Sequence, residues 1–231
     1  MRLITKICEP SKLILAWKPV DTRKSRRHFP VGIFERQRDK ILFRWLSDTE
    51  DFSLALNEGF DVLFGNDRGN SSEPQRIFDV LSKRLPRRDR PDYEKYLAQF
   101  RINPDVNIST FAMLGYTEAR LASDGYSIID TLESASKGCQ YFHEVVGYHY
   151  YAKNLTGQIL HSQVEFRHEP QNKYDPNAVG IFLRNQLCGY VNRLRAPMLN
   201  QILKNYTVTA YLESINGSKD KPVAHVFFEL E

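Results

Sequence analysis

EFRHEPQNKYDPNAVGIFLRNQLCGYVNR, residues 165–193, opens in apolar–polar alternation, breaks into turn residues and returns to short apolar runs. That pattern reads as strand, turn, strand, strand. Asp175 precedes Pro176, which disfavours helical backbone at 175. Asn172, Asp175 and Asn177 can each bond nearby backbone groups, so the turn is stiff. Tyr174 is thereby held beside a carboxylate. Two readings follow. Either the ring packs over the sheet and Asp175 caps its own turn, or the ring stacks on a base while Asp175 accepts a bond from a sugar hydroxyl or base amine.

Outward from this stretch, the C-terminal part is mostly strand. FHEVVGYHYY, QILHSQVEFRHE, AVGIFLR, QLCGYVNR, YTVTAYLESI and AHVFFEL make six segments, with one helix, RAPMLNQILKN, between the fourth and fifth. A small β-barrel with a helix across one opening fits that order. The small polar segment TLESASKGC, residues 131–139, is the expected linker.

The first half reads as α+β. KLILAW, FPVGIFER and KILFRWL form an antiparallel meander, with Gly32 marking a bulge or a close backbone approach. Asp48 or Thr49 caps a helix EDFSLALNEG, and Ser71 or Ser72 caps PQRIFDVLSKRL, with Ile77, Val80, Leu81 and Leu85 on one face. RPDYEKYLAQFRI turns Tyr93, Tyr96, Leu97 and Phe100 inward. NISTFAMLGY follows as a short helix, and GYSIID closes the unit as a strand. The expected domains are 1–132 and 139–231.

The chain has 231 residues, 26% of them charged, and a net charge of +4. Such a mild excess permits a nucleic-acid partner without requiring one. Residues 1–138 carry 23 basic and 20 acidic side chains, and residues 139–231 carry 9 and 8. The surplus lies in residues 18–27 and 83–90, which read either as solvated loops or as phosphate-facing. Cys8, Cys139 and Cys188 are far apart and outside any CxxC pair, which argues against a zinc site and against a disulfide framework. No signal peptide and no membrane span is expected, so the reading is a cytoplasmic protein with no membrane partner.

Phosphate-loop, dinucleotide, nucleophile-elbow and metalloprotease motifs are lacking. His161 and His168 read as polar strand residues, and no carboxylates cluster at nuclease spacing. No catalytic residue, metal site or cofactor is expected.

FHEVVGYHYY, VEFRHEPQNKYDPNAVGIF and CGYVNRLRAPMLNQIL together resemble the HIRAN domain family over about residues 139–231. Arg167, Pro170, Asn172, Tyr174, Asp175, Asn177 and Ala178 fill one motif. Gly189, Tyr190, Val191, Arg193 and Ala196 fill the next. The resemblance implies an OB-like barrel that captures single-stranded DNA at its 3′ end. It implies that Tyr174 and Asp175 hold the terminal base and hydroxyl, and that His149 and Tyr150 match a basic–aromatic pair on the first strand. A histidine at that position implies stronger binding at lower pH. Lys173, Arg193 and Arg195 would attract the phosphate backbone, and Asn177 belongs to the same turn. Phe227 and Phe228 read as core.

The first half resembles the N-terminal subdomain of HipA-type toxin kinases, through FPVGIFER, KILFRWL, IFDVLSKRLPRRDRPDYEKYL and ISTFAMLGYTEARLASDGYSII. The kinase itself is missing, so the resemblance implies an interaction module. The expected function is a non-catalytic binder of single-stranded DNA or 3′ ends, with the N-terminal half docking a protein partner or adding DNA contacts, in DNA repair or defence against phage. The alternative is a protein-interaction module related to toxin–antitoxin or defence systems with no direct DNA binding. A nuclease or kinase remnant is the third reading.

Overall fold

A computed structural model describes the chain apart from residues 22–26, 39, 62–72 and 122, and the side chains of 73–75. The middle of the basic loop 18–27 and the helix cap expected at Ser71 or Ser72 therefore lie outside the described residues. Among the described residues the strands form two sheets, one in each of two compact units.

The first unit comprises Glu9–Tyr96 and Ile108–Ser134. Strands β1 (Lys12–Trp17), β2 (Phe29–Gln37), β3 (Lys40–Trp45) and β4 (Tyr126–Asp130) pair in the order β3-β2-β1-β4, with every pair antiparallel. The closing strand thus returns beside β1. The register shifts between Leu15 and Ala16, opposite Gly32 and Pro30. A side chain at 32 would collide with the Phe43 ring, so Gly32 supplies both a bulge and a close approach.

Helix α1 (Glu50–Asn57) starts at Thr49, whose Oγ1 accepts the Phe52 N–H at 3.2 Å. Helix α4 (Thr110–Thr117) starts the same way at Ser109, which accepts from Ala112 N at 3.0 Å. With α2 (Glu73–Ser82), they cover a core that includes Leu13, Trp17, Phe34, Phe52, Leu81 and Phe111. On α2 the buried face is Ile77, Phe78 and Leu81. Val80, expected inward, is 39% exposed.

The second unit comprises Met1–Cys8, Leu97–Asn107 and Ala135–Glu231. Two segments assigned from sequence to the N-terminal domain therefore group with the C-terminal sheet. The unit boundary at 134/135 falls inside the expected linker. Ile4 and Ile102 join in a parallel bridge, with Ile4 N donating to Arg101 O and Asn103 N to Ile4 O. Cys8 is bonded to Cys139, with Cα atoms 5.6 Å apart and a separation of 131 positions in sequence. This overturns the expectation of unpaired cysteines. Spacing along the chain says nothing of two residues brought together by a returning strand.

Strands β5 (Gln140–Glu144), β6 (Gln163–His168), β7 (Val179–Leu183), β8 (Gln186–Tyr190), β9 (Val208–Gly217) and β10 (Pro222–Leu230) follow the order β5-β10-β9-β6-β7-β8. The sheet curls into a half-barrel. Its edges meet where Val146, just past β5, bridges Tyr190 at the end of β8, with reciprocal N–H to O bonds of 2.8 and 2.9 Å. Gly189 permits this approach. Its φ is +146°, and a Cβ there would lie 2.6 Å from the Val146 carbonyl oxygen. Phe227 and Phe228 are both buried, and Phe228 stacks on Tyr141 at 5.1 Å. Helix α6 (Ala196–Asn205) follows β8, and Leu199 and Ile202 are buried on it. Among the described residues no helix is long and apolar enough to cross a membrane.

Candidate nucleic-acid interface

The connection from β6 to β7 carries the Tyr-Asp-Pro-Asn turn, and its polar groups are tied within a few residues. Asn172 Oδ1 accepts the N–H of Tyr174 at 3.0 Å and of Asp175 at 3.4 Å. Asp175 Oδ1 accepts Asn177 N at 2.8 Å, and Asp175 O accepts Ala178 N at 3.0 Å. Side chains at Asx positions therefore replace the ladder bonds the backbone gives up in the turn.

More distant groups hold the same turn. His168 Nε2 lies 2.9 Å from the Pro176 carbonyl, which fixes the ring tautomer with its proton on Nε2. Asn200, buried on α6, donates to the Asn177 carbonyl at 2.9 Å. Glu169 Oε2 accepts both the Asn172 amide at 3.0 Å and the Tyr190 hydroxyl at 3.2 Å. The Tyr190 ring meets that of Tyr151 edge to face, with centroids 6.2 Å apart. Burial first, then the Glu169 carboxylate and Tyr151, push the Tyr190 phenol well above its ordinary range, so it stays a donor.

The outcome is a rigid base under an open ring. Tyr174 is 84% exposed. Lys173 Nζ lies 4.7 Å from its centroid, close enough for a cation–π contact. Asp175 is half-buried, and Asn177 is exposed.

His149 and Tyr150 are not on a strand. The chain leaves β5 and turns through Gly147, in left-handed backbone at φ 78°, into a short helix α5 (Tyr148–Tyr151). A run this rich in aromatic and β-branched residues reads as extended, and the left-handed glycine ends the strand early. The two rings lie 3.9 Å apart between centroids, with Tyr150 57% exposed and His149 half-buried. The Tyr151–Tyr190 ring contact and the Tyr190 and Asn172 hydrogen bonds to Glu169 connect this helix to the Tyr174 turn.

Arg193 is exposed on the segment before α6. Arg195 is not available to a phosphate backbone: only 1% of it is accessible, at the position that caps α6. Its sequence neighbourhood, NRLRAP, looks like a solvated basic stretch, yet the chain turns there to start the helix and Arg195 faces in. Arg167 is also committed locally. It donates from Nε to Glu165 at 2.9 Å and packs 4.7 Å from the Phe182 ring. The supporting residues Glu169, Tyr190, Tyr151 and Asn200 went unassigned because their partners are distant in sequence. Only the Glu169–Asn172 spacing offered a local signal.

Among the described residues no three His, Cys, Asp or Glu side chains are grouped to hold a metal ion. Comparison with curated proteins gives no match. Among solved structures the chain is similar to the HIRAN domain of human HLTF, at 20% identity and a TM-score of 0.33, over 39% of this chain and 74% of that one. It is also similar to a protein from Lactobacillus plantarum, at 18% identity and a TM-score of 0.30, over 39% of this chain and 92% of that one. The expected HipA-like character of the first half gains no support from these comparisons. The HIRAN domain model matches residues 129–231 of the chain.

Proposed function

We propose that the barrel captures single-stranded DNA at a free 3′ end, without catalysis. The observation that carries this reading is the 84% exposure of Tyr174 on a turn whose N–H groups at 174, 175 and 177 are held by side-chain acceptors. An exposed phenol on a loose loop would lose entropy on stacking, and a braced one loses little. Asp175 accepts the terminal 3′ hydroxyl, a bond a 3′ phosphate cannot make. Lys173, Arg193 and His149 face the strand's backbone, Tyr150 offers a second stacking face, and Asn177 a polar edge. The general use of HIRAN domains as modules for unpaired DNA and 3′ ends supports the same reading.

The test is fluorescence anisotropy with oligonucleotides ending in a 3′ hydroxyl or a 3′ phosphate. Stacking is worth about 1–3 kcal/mol per base, so Tyr174→Ala is expected to weaken binding by roughly 5- to 100-fold. Asp175→Asn removes the preference for the free hydroxyl. Equal affinity for both ends in the native protein would refute end capture. No binding to any strand would turn the function toward protein interaction alone.

A further inference from the structure

KRLPRRDRPDYEKY, residues 83–96, holds six cationic and three acidic side chains, so three of the chain's four net positive charges fall within it. The stretch leaves α2, passes Pro86 and Pro91, and enters helix α3 (Tyr93–Gln99). Against α4 it encloses a cleft of about 340 Å³. Leu85, Pro86, Tyr93, Tyr96 and Met113 form its half-buried and buried lining, and exposed Lys83, Arg87 and Arg88 stand around them. The volume is at the lower end of the roughly 300–1,000 Å³ of small-ligand sites, suited to a nucleotide and too small for a duplex.

Tyr93 and Tyr96, one helical turn apart, have ring centroids 6.5 Å apart and planes 25° from parallel. Burial pushes the Tyr96 phenol up, against a hydrogen bond with Thr117, so that ring stays neutral. The Arg88 guanidinium donates to the Ile108 carbonyl, which pins the loop to the segment ahead of α4. Arg87 pairs with Asp89 at 2.6 Å and Arg90 with Asp92 at 2.7 and 2.9 Å. All four of these side chains are more than half exposed, and such pairs yield readily to a phosphate. Lys83 makes no ion pair among the described residues.

We infer that this cleft is a second site for single-stranded DNA, with a base against the Tyr93–Tyr96 pair and neighbouring phosphates on Lys83 and Arg87. A near-parallel phenol pair rimmed by cations matches the alternation of flat base and phosphate in a single strand, which an acidic peptide lacks. The inference rests on the barrel reading only for the class of partner.

The experiment uses the full chain and a short labelled oligothymidylate blocked by a 3′ phosphate, titrated at several salt concentrations. The double variant Lys83→Glu/Arg87→Glu, both surface positions, is expected to bind about five- to tenfold more weakly, with the slope of log K against log salt reduced by about 1.4, at about 0.7 per lost contact. Tyr93→Ala, with unchanged circular dichroism, should show a similar loss without the change in slope. Unchanged affinity and slope in the charge-reversal variant would overturn the inference. So would a polyglutamate peptide that binds in a manner sensitive to these variants while the oligothymidylate does not. Loss of end preference in Asp175→Asn reports on the barrel alone, so the two readings fail separately.

Discussion

The hydroxyl of Tyr190 and the side-chain amide of Asn172 donate to the same oxygen, Oε2 of Glu169, at 3.2 and 3.0 Å. A residue at the end of β8 thus helps set the loop that carries Tyr174, although it touches none of the groups that would meet DNA. Tyr190→Phe keeps the ring and removes the donor. A hydrogen bond to a charged group is worth about 1.5–3 kcal/mol, and partial exposure of this one places the expected stability loss at the lower end. DNA affinity should fall by about threefold through a looser turn. Thermal denaturation and anisotropy on one preparation check this; unchanged affinity with lowered stability would make Tyr190 purely structural.

Barrel closure depends on Gly189. Its φ of +146° is open to glycine and strained for other residues, and the Val146 carbonyl that a Cβ would strike is backbone, which cannot rotate away. Gly189→Ala should cost at least about 1–3 kcal/mol from conformation alone. It should also part Val146 from Tyr190 and speed amide exchange at both. Hydrogen exchange at these two amides is the direct readout, and protection equal to the native protein would contradict the closure argument.

The Cys8–Cys139 bond closes a loop of 131 residues and fastens the Met1–Cys8 segment to the barrel unit. Chain-entropy reasoning for loops of this length gives about 5 kcal/mol of stabilisation. Native protein unfolded without reductant should titrate one thiol, from Cys188, and three after reduction. Burial raises that remaining thiol to about 11, so in the folded state it should react slowly with maleimide. Reductant should lower the melting temperature of the native chain and leave Cys8→Ser unaffected. Three thiols before reduction would show that the pair is not bonded.

What was legible in sequence is what acts over short range. Strand β1 falls on Lys12–Trp17, the stretch its apolar pattern marks, and the turn at Asn172–Asn177 uses the side-chain bonds its residue types suggest. Long-range pairing was opaque. Glu169 meets Tyr190 across 21 residues, Asn177 meets Asn200 across 23, and Cys8 meets Cys139 across 131. Arg195 shows the same limit from the other side: its charge argued for the surface, and the turn into α6 buried it. His149 and Tyr150 were misplaced on a strand because composition outweighs a single glycine in a pattern reading, whereas Gly147 decides the backbone.

Glu213 supplies a pH-dependent test of the N-terminal segment. Its side chain is fully buried, and it accepts from Arg2 backbone N and Nη1, both at 3.0 Å, with His161 Nδ1 at 3.4 Å and Arg101 Nε at 3.9 Å. Burial raises the carboxyl pKa, but the Arg2 hydrogen bonds and then His161 outweigh it, so the folded value lies below the ordinary 4.5. A group depressed on folding stabilises fully above its unfolded value and loses that contribution as pH falls through the folded value. The native chain should therefore lose stability progressively as pH drops below 4.5, and Glu213→Gln should flatten that part of the profile. Breaking a buried pair by removing one partner costs about 3–5 kcal/mol; Arg2 is one-third exposed, so the loss at neutral pH should fall below that range. Arg2→Ala tests the same contact from the solvent side and should flatten the acid limb less, since His161 and Arg101 remain. Denaturant unfolding from pH 7 to pH 3 distinguishes these outcomes, and parallel profiles for the native chain and Glu213→Gln would mean that Glu213 does not anchor the segment through its charge.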